Sequence, residues 1–181
     1  MIELEIESIR VSIRHGRRVV ILKETEAERY LTIWISGDTA EAIALRLQDI
    51  TVVRPQTHDL LSNVMQELGG TVKSVVVNDL KDDTFFARIN VEQDGRMIAI
   101  DSRPSDAIAL AVRARVPIFV EEHVLESAGI RLDGDGAERP SDHAGAGDRP
   151  IAAVTEEERE KLSAFYDVVG DLDLDVLGGD D

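Results

Sequence analysis

The sequence predicts an α+β domain with a mixed, largely antiparallel sheet and flanking helices. Short segments in which apolar and polar residues alternate are separated by turn signals, as is typical of antiparallel strands. Two predicted hairpins lead directly into amphipathic helices. A shift of 65 residues also aligns residues 33–45 with residues 98–110, including an Ala-Ile-Ala-Leu segment in both. This alignment indicates an internal pseudo-repeat of two ββα units, with chance similarity between two amphipathic helices as the alternative.

The first half of the chain contains three predicted strands and two predicted helices. The apolar alternation over residues 2–13 slips at Glu7-Ser8, which predicts one strand with a β-bulge. Asp38 followed by Glu41 has the spacing of a capping box and predicts the first helix. Thr57 is the expected N-cap of the second helix, which ends at a Gly-Gly pair. The other two strands are predicted at residues 17–23 and 30–35.

The second half repeats this alternation of strands and helices. A hairpin is predicted across Asp94-Gly95, a dipeptide typical of two-residue hairpin turns. Gly129 is expected to end a short helix. The predicted segments are a strand at 72–77, a polar loop at 78–83, strands at 84–91 and 96–101, a helix at 103–114, an extended segment at 116–120 and a helix at 121–128.

Charge divides the chain into a folded body and an acidic remainder. Residues 1–132 carry 16 basic and 21 acidic residues, a net charge of −5, and are long enough to bury a core. Residues 133–181 carry 4 basic and 15 acidic residues, a net charge of −11. We predict a flexible acidic linker at residues 133–154, then an amphipathic helix with an acidic mobile tail at residues 155–181. That helix must dock on the body or on a partner to bury its apolar stripe.

Composition excludes several classes of protein and of site. The chain has no cysteine, so disulfide frameworks, thiolate zinc sites and cysteine nucleophiles are excluded. No apolar run approaches the roughly 20 residues that span a bilayer, and the N-terminal segment does not resemble a secretory signal. We therefore expect a cytoplasmic protein without a membrane partner. The net charge of −16 argues against passive coating of nucleic acid but not against a local basic groove.

Two polar clusters, residues 54–59 and residues 101–106, lie at predicted helix starts. A helix N-terminus presents free N–H groups and favours phosphate or another anion. We therefore expect Arg54, Arg103 and Ser105 to bind phosphate.

The same clusters carry groups that transfer protons and bind metal ions. His58 beside Asp59 is a candidate general base or acid for attack on a phosphodiester. Asp101 and Asp106, with Glu41 brought near by the pseudo-symmetry, are candidate catalytic ligands of a divalent ion such as Mg²⁺ or Mn²⁺.

Each of these residues also has a purely structural interpretation. Carboxylates in a first helical turn complement the helix dipole, which alone accounts for Asp59, Asp106 and Glu41. His58 can serve only as a packing or capping group. Arg103 stands where the aligned copy has Asp38, and an arginine is a poor N-cap, which indicates another task for it.

At these clusters the sequence resembles the bifunctional nuclease domain family of bacteria and plants. The resemblance covers about residues 2–132, in order and at natural spacing. The matching stretches are Tyr-Leu-Thr-Ile-Trp-Ile at 30–35, Glu-Ala-Ile-Ala-Leu at 41–45, Arg-Pro-Gln-Thr-His-Asp-Leu at 54–60, Asp-Asp-Thr-Phe-Phe-Ala at 82–87, Asp-Ser-Arg-Pro-Ser-Asp-Ala-Ile-Ala-Leu at 101–110 and Val-Pro-Ile-Phe-Val at 116–120.

The resemblance implies cleavage of both DNA and RNA with little sequence preference. The candidate site residues are inferred from the two polar clusters and not from the resemblance. We accordingly expect metal-assisted phosphodiester hydrolysis. The alternative is a non-catalytic oligomeric module that binds an anion or nucleotide, or that regulates a partner. In both cases the alternating strand at residues 2–13 is expected to be an edge that pairs between subunits of a homo-oligomer.

Overall fold

Eight strands and four helices lie in residues 1–11 and 17–131, which are the residues described by the structure, a computed structural model. The strands are β1 (Ile2–Val11), β2 (Arg18–Glu24), β3 (Arg29–Ile35), β4 (Gly70–Lys81), β5 (Thr84–Gln93), β6 (Arg96–Ser102), β7 (Ile118–Val120) and β8 (Ile130–Arg131). The helices are α1 (Gly37–Leu47), α2 (Thr57–Glu67), α3 (Pro104–Ala114) and α4 (Glu122–Ala128).

The strands form one mixed sheet in the order β6-β5-β4-β7-β1-β2-β3-β8. The β4–β7 pair is parallel and the other neighbouring pairs are antiparallel. This arrangement confirms the α+β class and the largely antiparallel sheet. The pseudo-repeat is not confirmed. Each helix of the two proposed units does follow a hairpin. However, the N-caps do not align under the 65-residue shift, because α1 is capped by Ser36 and α3 by Arg103.

Strand β1 has the predicted bulge but not the predicted position. Its pairing with β2 shifts register between Ile6 and Ser8. The expectation that it forms an open edge is wrong, because β1 lies between β7 and β2. The three-residue β7 comes from the far end of the described chain and pairs with Ile2–Leu4 of β1, on the side opposite β2.

The polar segment after residue 77 is strand rather than loop. β4 continues to Lys81, and the chain reverses only at Asp82 and Asp83, whose φ angles are 47° and 58°. Aspartate tolerates this left-handed region better than most residues, so no glycine is needed. The predicted loop at 78–83 is therefore wrong.

Two predicted helix caps are displaced by one or two residues. The N-cap of α1 is Ser36, whose Oγ accepts from the Thr39 N–H at 3.3 Å, while Asp38 lies in the first turn. The N-cap of α2 is Gln56 rather than Thr57.

Helix α3 lies at the centre of the core. Its residues Ala107–Ala111 are at most 1 % exposed. α3 contacts strands β3, β4 and β5, and α4 contacts both β3 and β4. Because β3 and β4 are separated in the sheet by β7, β1 and β2, the sheet must curl around these helices.

Several predictions concern other residues. The last two residues of the predicted first strand (12 and 13), the linker at 133–154, and the helix and tail at 155–181, docked in cis or on a partner, lie outside the described residues. Across residues 1–11 and 17–131, every helix is too short or too polar to span a bilayer.

Candidate functional site

The starts of α2 and α3 carry the two polar clusters, and these two helices pack against each other. α3 begins directly after β6, with Arg103 as N-cap and Pro104 at its start, where the missing N–H is harmless. The first turn of α3 then positions Asp106. At the start of α2, the backbone N–H of Gln56 donates to Asp59 Oδ2 at 2.9 Å. Both starts are thereby fixed by local hydrogen bonding and sterics.

His58, Asp106 and Arg103 form one connected cluster. His58 Nε2 lies 3.1 Å from Asp106 Oδ1, although the two residues are 48 positions apart in sequence. Arg103 Nε donates to Asp106 Oδ2 at 2.7 Å, and its Nη2 donates to Oδ1 at 3.2 Å. The side chains of His58, Asp106 and Arg103 are 12 %, 29 % and 53 % exposed. The structure thus places an imidazole against a carboxylate that an arginine clamps at the surface.

The environment of Asp106 favours its ionised form. The hydrogen bond from His58 and the ion pair with Arg103 lower the pKa of the Asp106 carboxyl to about 2, against the opposing effect of burial. Asp106 is therefore a carboxylate at every physiological pH. It can fix the orientation of the His58 ring and stabilise a proton taken up by that ring.

Asp59 belongs to a second cluster centred on a buried arginine. Arg113 Nε donates to Asp59 Oδ1 at 2.6 Å. The other Arg113 nitrogens donate to Gln56 Oε1 at 3.0 Å and to the carbonyls of Ala109 at 2.9 Å and Ala42 at 3.4 Å. Burial acts to raise the pKa of Asp59, but the bonds from Gln56 and Arg113 outweigh it and lower that pKa. These contacts tie α1, α2 and α3 together.

Arg113 is the residue that sequence reasoning missed. Its side chain is only 5 % exposed, and buried arginines are rare unless they are fully paired. The sequence offered one weak signal, a single basic residue at the end of an otherwise apolar helix stripe. Nothing in the local pattern indicated its partner, which is 54 positions away.

A cavity of about 340 Å³ opens beside this second cluster. It lies between the end of α1, the segment that follows it and the start of α2. Its lining comprises Leu45, Arg46, Ile50, Thr51, Val52, Val53, Pro55, Gln56, Asp59, Asn63 and Arg113. His58 and Asp106 are not part of this lining, so the cavity is distinct from the first cluster.

The remaining predicted site residues are dispersed. Ser105 is buried in the first turn of α3, at 8 % exposure. Arg54 is exposed just before α2, and Glu41 is exposed on α1. Asp101 is exposed on β6, opposite Arg88 of β5. The structure therefore brings His58, Asp106 and Arg103 into contact, whereas Asp59 forms its hydrogen bonds with Arg113 and Gln56.

The predicted metal ligands do not form a ready-made site. In the described part of the chain, no three His, Asp or Glu side chains are grouped so that they could hold a metal ion. Both oxygens of Asp106 already accept hydrogen bonds from His58 and Arg103. The assignment of Asp101, Asp106 and Glu41 as ligands stays a prediction.

Comparison with known proteins adds an independent line of evidence. Residues 20–133 match the family model described as the bifunctional nuclease domain. A Mycobacterium tuberculosis protein, itself uncharacterized, is 38 % identical over 172 residues, which is 95 % of this chain and 97 % of that protein.

Plant relatives match a smaller part of their length. Bifunctional nuclease 1 of Oryza sativa subsp. indica is 24 % identical over 117 residues, 63 % of this chain and 35 % of the rice protein. Bifunctional nuclease 2 of Arabidopsis thaliana is 29 % identical over 93 residues, 50 % of this chain and 28 % of the plant protein.

Proposed function

The chain belongs to the bifunctional nuclease domain family, and from this membership we propose that it hydrolyses phosphodiester bonds of DNA and RNA with low sequence specificity. The names of the plant relatives, bifunctional nuclease 1 and bifunctional nuclease 2, support this activity class. We place the protein in the cytoplasm, in keeping with a cysteine-free chain.

The observation that carries the proposal is the 3.1 Å contact between His58 Nε2 and Asp106 Oδ1. In the neutral ring, Nε2 carries the proton and donates a hydrogen bond to the carboxylate. Nδ1 is then the basic nitrogen of the ring. In the proposed step, His58 Nδ1 takes a proton from a water molecule whose oxygen attacks phosphorus. The bond from phosphorus to the leaving oxygen breaks as the new P–O bond forms, and the leaving oxygen takes up a proton from solvent water. Asp106 stabilises the imidazolium that forms.

The substrate phosphate is assigned to Arg103, which contacts Asp106, and to Arg54, which lies four residues before His58 in the sequence. Arg54 precedes α2 and Arg103 precedes α3, so both are near free N–H groups of a helix start. Backbone contacts of this type do not read base identity, which accounts for activity on both DNA and RNA. Ser105 stays in the proposal as a phosphate ligand, though its burial requires the phosphate to approach the α3 N-terminus closely.

The test is a cleavage assay on fluorescent single- and double-stranded DNA and RNA. Each substrate is incubated with Mg²⁺, with Mn²⁺ and with chelator, which tests the predicted metal requirement. We expect His58→Ala to lower the cleavage rate by at least about 100-fold, the usual contribution of a general base. Asp106→Asn should lower it as well, because the neutral amide no longer stabilises the imidazolium.

The matched control is His123→Ala. His123 also faces an aspartate, with Nε2 at 3.6 Å from Asp79 Oδ1, but it is 61 % exposed and lies on α4. This variant, purified in parallel, should retain full activity, whereas cleavage by a contaminating nuclease would persist equally in His58→Ala. Undiminished cleavage by both His58→Ala and Asp106→Asn would show that the site is wrongly assigned.

A non-catalytic module is the second candidate, and one observation favours it. Both candidate carboxylates at the helix starts are already neutralised by arginine, Asp59 by Arg113 and Asp106 by Arg103. Such pairs are also what a purely structural role requires. Binding of nucleic acid without cleavage of any substrate, with either metal, would replace the nuclease proposal by this one.

A further inference from the structure

The end of α1 forms one apolar wall of the cavity described above. Asp49, just after the helix, has a φ angle of 52°, and its N–H donates to the Arg46 carbonyl at 3.1 Å. The next N–H, that of Ile50, donates to the Leu45 carbonyl at 2.9 Å. These two bonds form a Schellman motif, in which the side chains at the two positions of the second bond commonly pack together. Leu45 and Ile50 both line the cavity.

The segment between α1 and α2 forms a second apolar wall. Val52, Val53 and Pro55 line the cavity on this side. Val53 is fully exposed, and Ile50 of the first wall is 48 % exposed. Exposed apolar side chains around a concave site are typical of a place where a ligand binds. A ligand that fills the cavity removes this apolar surface from water.

The polar groups of the cavity are held in fixed orientations. Arg113 donates to Asp59 Oδ1 at 2.6 Å and to Gln56 Oε1 at 3.0 Å. The side chain of Asp59 is still 30 % exposed, so its carboxylate oxygens can accept further hydrogen bonds from a ligand. Asn63, an exposed residue of α2 that lines the cavity, adds an amide that both donates and accepts. The cavity therefore combines apolar walls with donors and acceptors.

This combination fits a planar heterocycle better than a hydrocarbon chain or an isolated anion. A hydrocarbon chain would separate Asp59 and Asn63 from water without replacing their hydrogen bonds, which is costly. An isolated anion would leave the apolar walls without contact and would face the Asp59 carboxylate. A nucleobase has apolar faces and polar edges, so it uses both kinds of group. The volume of about 340 Å³ lies within the range of small-ligand sites.

The cavity adjoins the groups of the proposed nuclease site along the chain. Arg54, assigned to the substrate phosphate, lies between Val53 and Pro55, and His58 directly precedes Asp59. Three of these neighbours line the cavity, namely Val53, Pro55 and Asp59. A nucleotide whose phosphate contacts Arg54 therefore has the cavity beside it.

We propose that the cavity binds one unpaired nucleobase of the substrate strand, next to the phosphate that is cleaved. The identity of this ligand rests on the proposed nuclease function. A base inside a duplex is stacked on both faces and paired at its edge, so a duplex must first expose a base before the cavity can bind it. The apolar walls contact the face of any base, in keeping with low sequence specificity.

An abasic strand provides the direct test. Fluorescence anisotropy measures binding of the full-length chain to a labelled single DNA strand of about 12 nucleotides and to a strand of equal length that lacks its bases. Both probes carry the same phosphates, so the electrostatic part of binding is the same for both. Chelator is present, and electrophoresis checks that the probes stay intact. We expect the strand with bases to bind at least about tenfold more tightly. Equal affinities overturn the proposal.

Two pairs of matched variants locate the base. Ile50→Ser removes part of one wall, and its control is Leu47→Ser, because Leu47 is 49 % exposed and does not line the cavity. Asn63→Leu removes an amide from the cavity, and its control is Gln66→Leu, an exposed amide of α2 outside the lining.

Ile50→Ser and Asn63→Leu should each weaken binding of the strand with bases by about fivefold or more and leave the abasic strand unaffected. Both controls should bind like wild type, and circular dichroism checks the fold of all four variants. A preference for bases that both cavity variants retain in full would place the base elsewhere and overturn the proposal.

Cleavage assays separate this proposal from the nuclease proposal. Cleavage by wild type without a preference for the strand with bases would leave the nuclease function standing and contradict the base site. A preference for bases that Ile50→Ser reduces, in a chain that cleaves no substrate with either metal, would support the base site and contradict the nuclease function.

Discussion

Arg113 shows how a single buried charge can organise three helices. It satisfies Asp59, the Gln56 amide and two backbone carbonyls, and these acceptors lie on or next to α1, α2 and α3. Its side chain is only 5 % exposed, so its hydrogen bonds to Asp59 and Gln56 face little competition from water.

We expect Arg113→Met to lower the free energy of unfolding by about 2 kcal/mol or more, since Asp59 and Gln56 lose their shared donor. Urea denaturation monitored by circular dichroism measures this change. The control is Arg115→Met, because the Arg115 side chain is 75 % exposed and its partner Asp49 is 76 % exposed. This surface pair should contribute less than about 1 kcal/mol. Equal losses for the two variants would contradict the role assigned to Arg113.

The Asp106 carboxyl makes stability depend on pH at the acid end. Its pKa is lowered from 3.8 to about 2 in the folded chain, so the folded state binds the proton less readily than the unfolded state. The stabilisation is complete above the unfolded pKa and is lost as the pH falls through the folded pKa. The free energy of unfolding of wild type should therefore exceed that of Asp106→Asn by less and less as the pH falls from about 5 towards 2. A difference that is constant over this range contradicts the assigned pairing.

The candidate site was only partly predictable because its contacts join distant segments. The polar clusters at 54–59 and 101–106 are visible in sequence, since helix starts have recognisable residues. That His58 meets Asp106 rather than its neighbour Asp59 depends on how α2 packs on α3, and no local pattern encodes that packing. The role of Arg103 is likewise visible only in the structure, where its side chain donates to Asp106.

At the scale of elements, turns whose conformations are tied to residue type were predicted best. The β5–β6 hairpin turns at Asp94 and Gly95 with φ angles of 51° and 73°, as a type I′ turn requires. The β4–β5 turn uses two aspartates at positive φ instead, so in the sequence the polar end of β4 cannot be distinguished from a longer loop. Polar residues alone do not distinguish a solvent-facing strand end from a loop.

Gly95→Ala should destabilise the protein by about 1 kcal/mol, because alanine is strained at positive φ. Space is not the cause, since no atom lies within 4 Å of the position that a Cβ would occupy. Thermal unfolding measures the effect. Asp94→Asn, which keeps a residue tolerant of this region, should unfold at nearly the wild-type temperature.

At the scale of the whole molecule, the acidic excess is concentrated outside the described fold. Residues 1–132 have a net charge of −5 and residues 133–181 a net charge of −11. A tethered acidic segment can compete with nucleic acid for the arginines at the helix starts.

Removing residues 133–181 should therefore raise the affinity for nucleic acid at low salt, as measured by fluorescence anisotropy. The gain should shrink at high salt, because screening weakens the competition. A full-length variant with asparagine in place of Asp171, Asp173 and Asp175 should shift in the same direction by a smaller amount. Affinities that do not differ from wild type at low salt rule out this competition.

The position of β7 has a consequence for the order in which the protein folds during synthesis. In the described sheet, β1–β3 with β8 and β4–β6 are joined only through the three residues of β7. While the ribosome has not yet released residues 118–120, the N-terminal hairpins and the β4–β6 meander have no shared strand. The two groups of strands therefore keep open edges on the nascent chain until β7 is released. The single sheet and its apolar core are completed only late in synthesis.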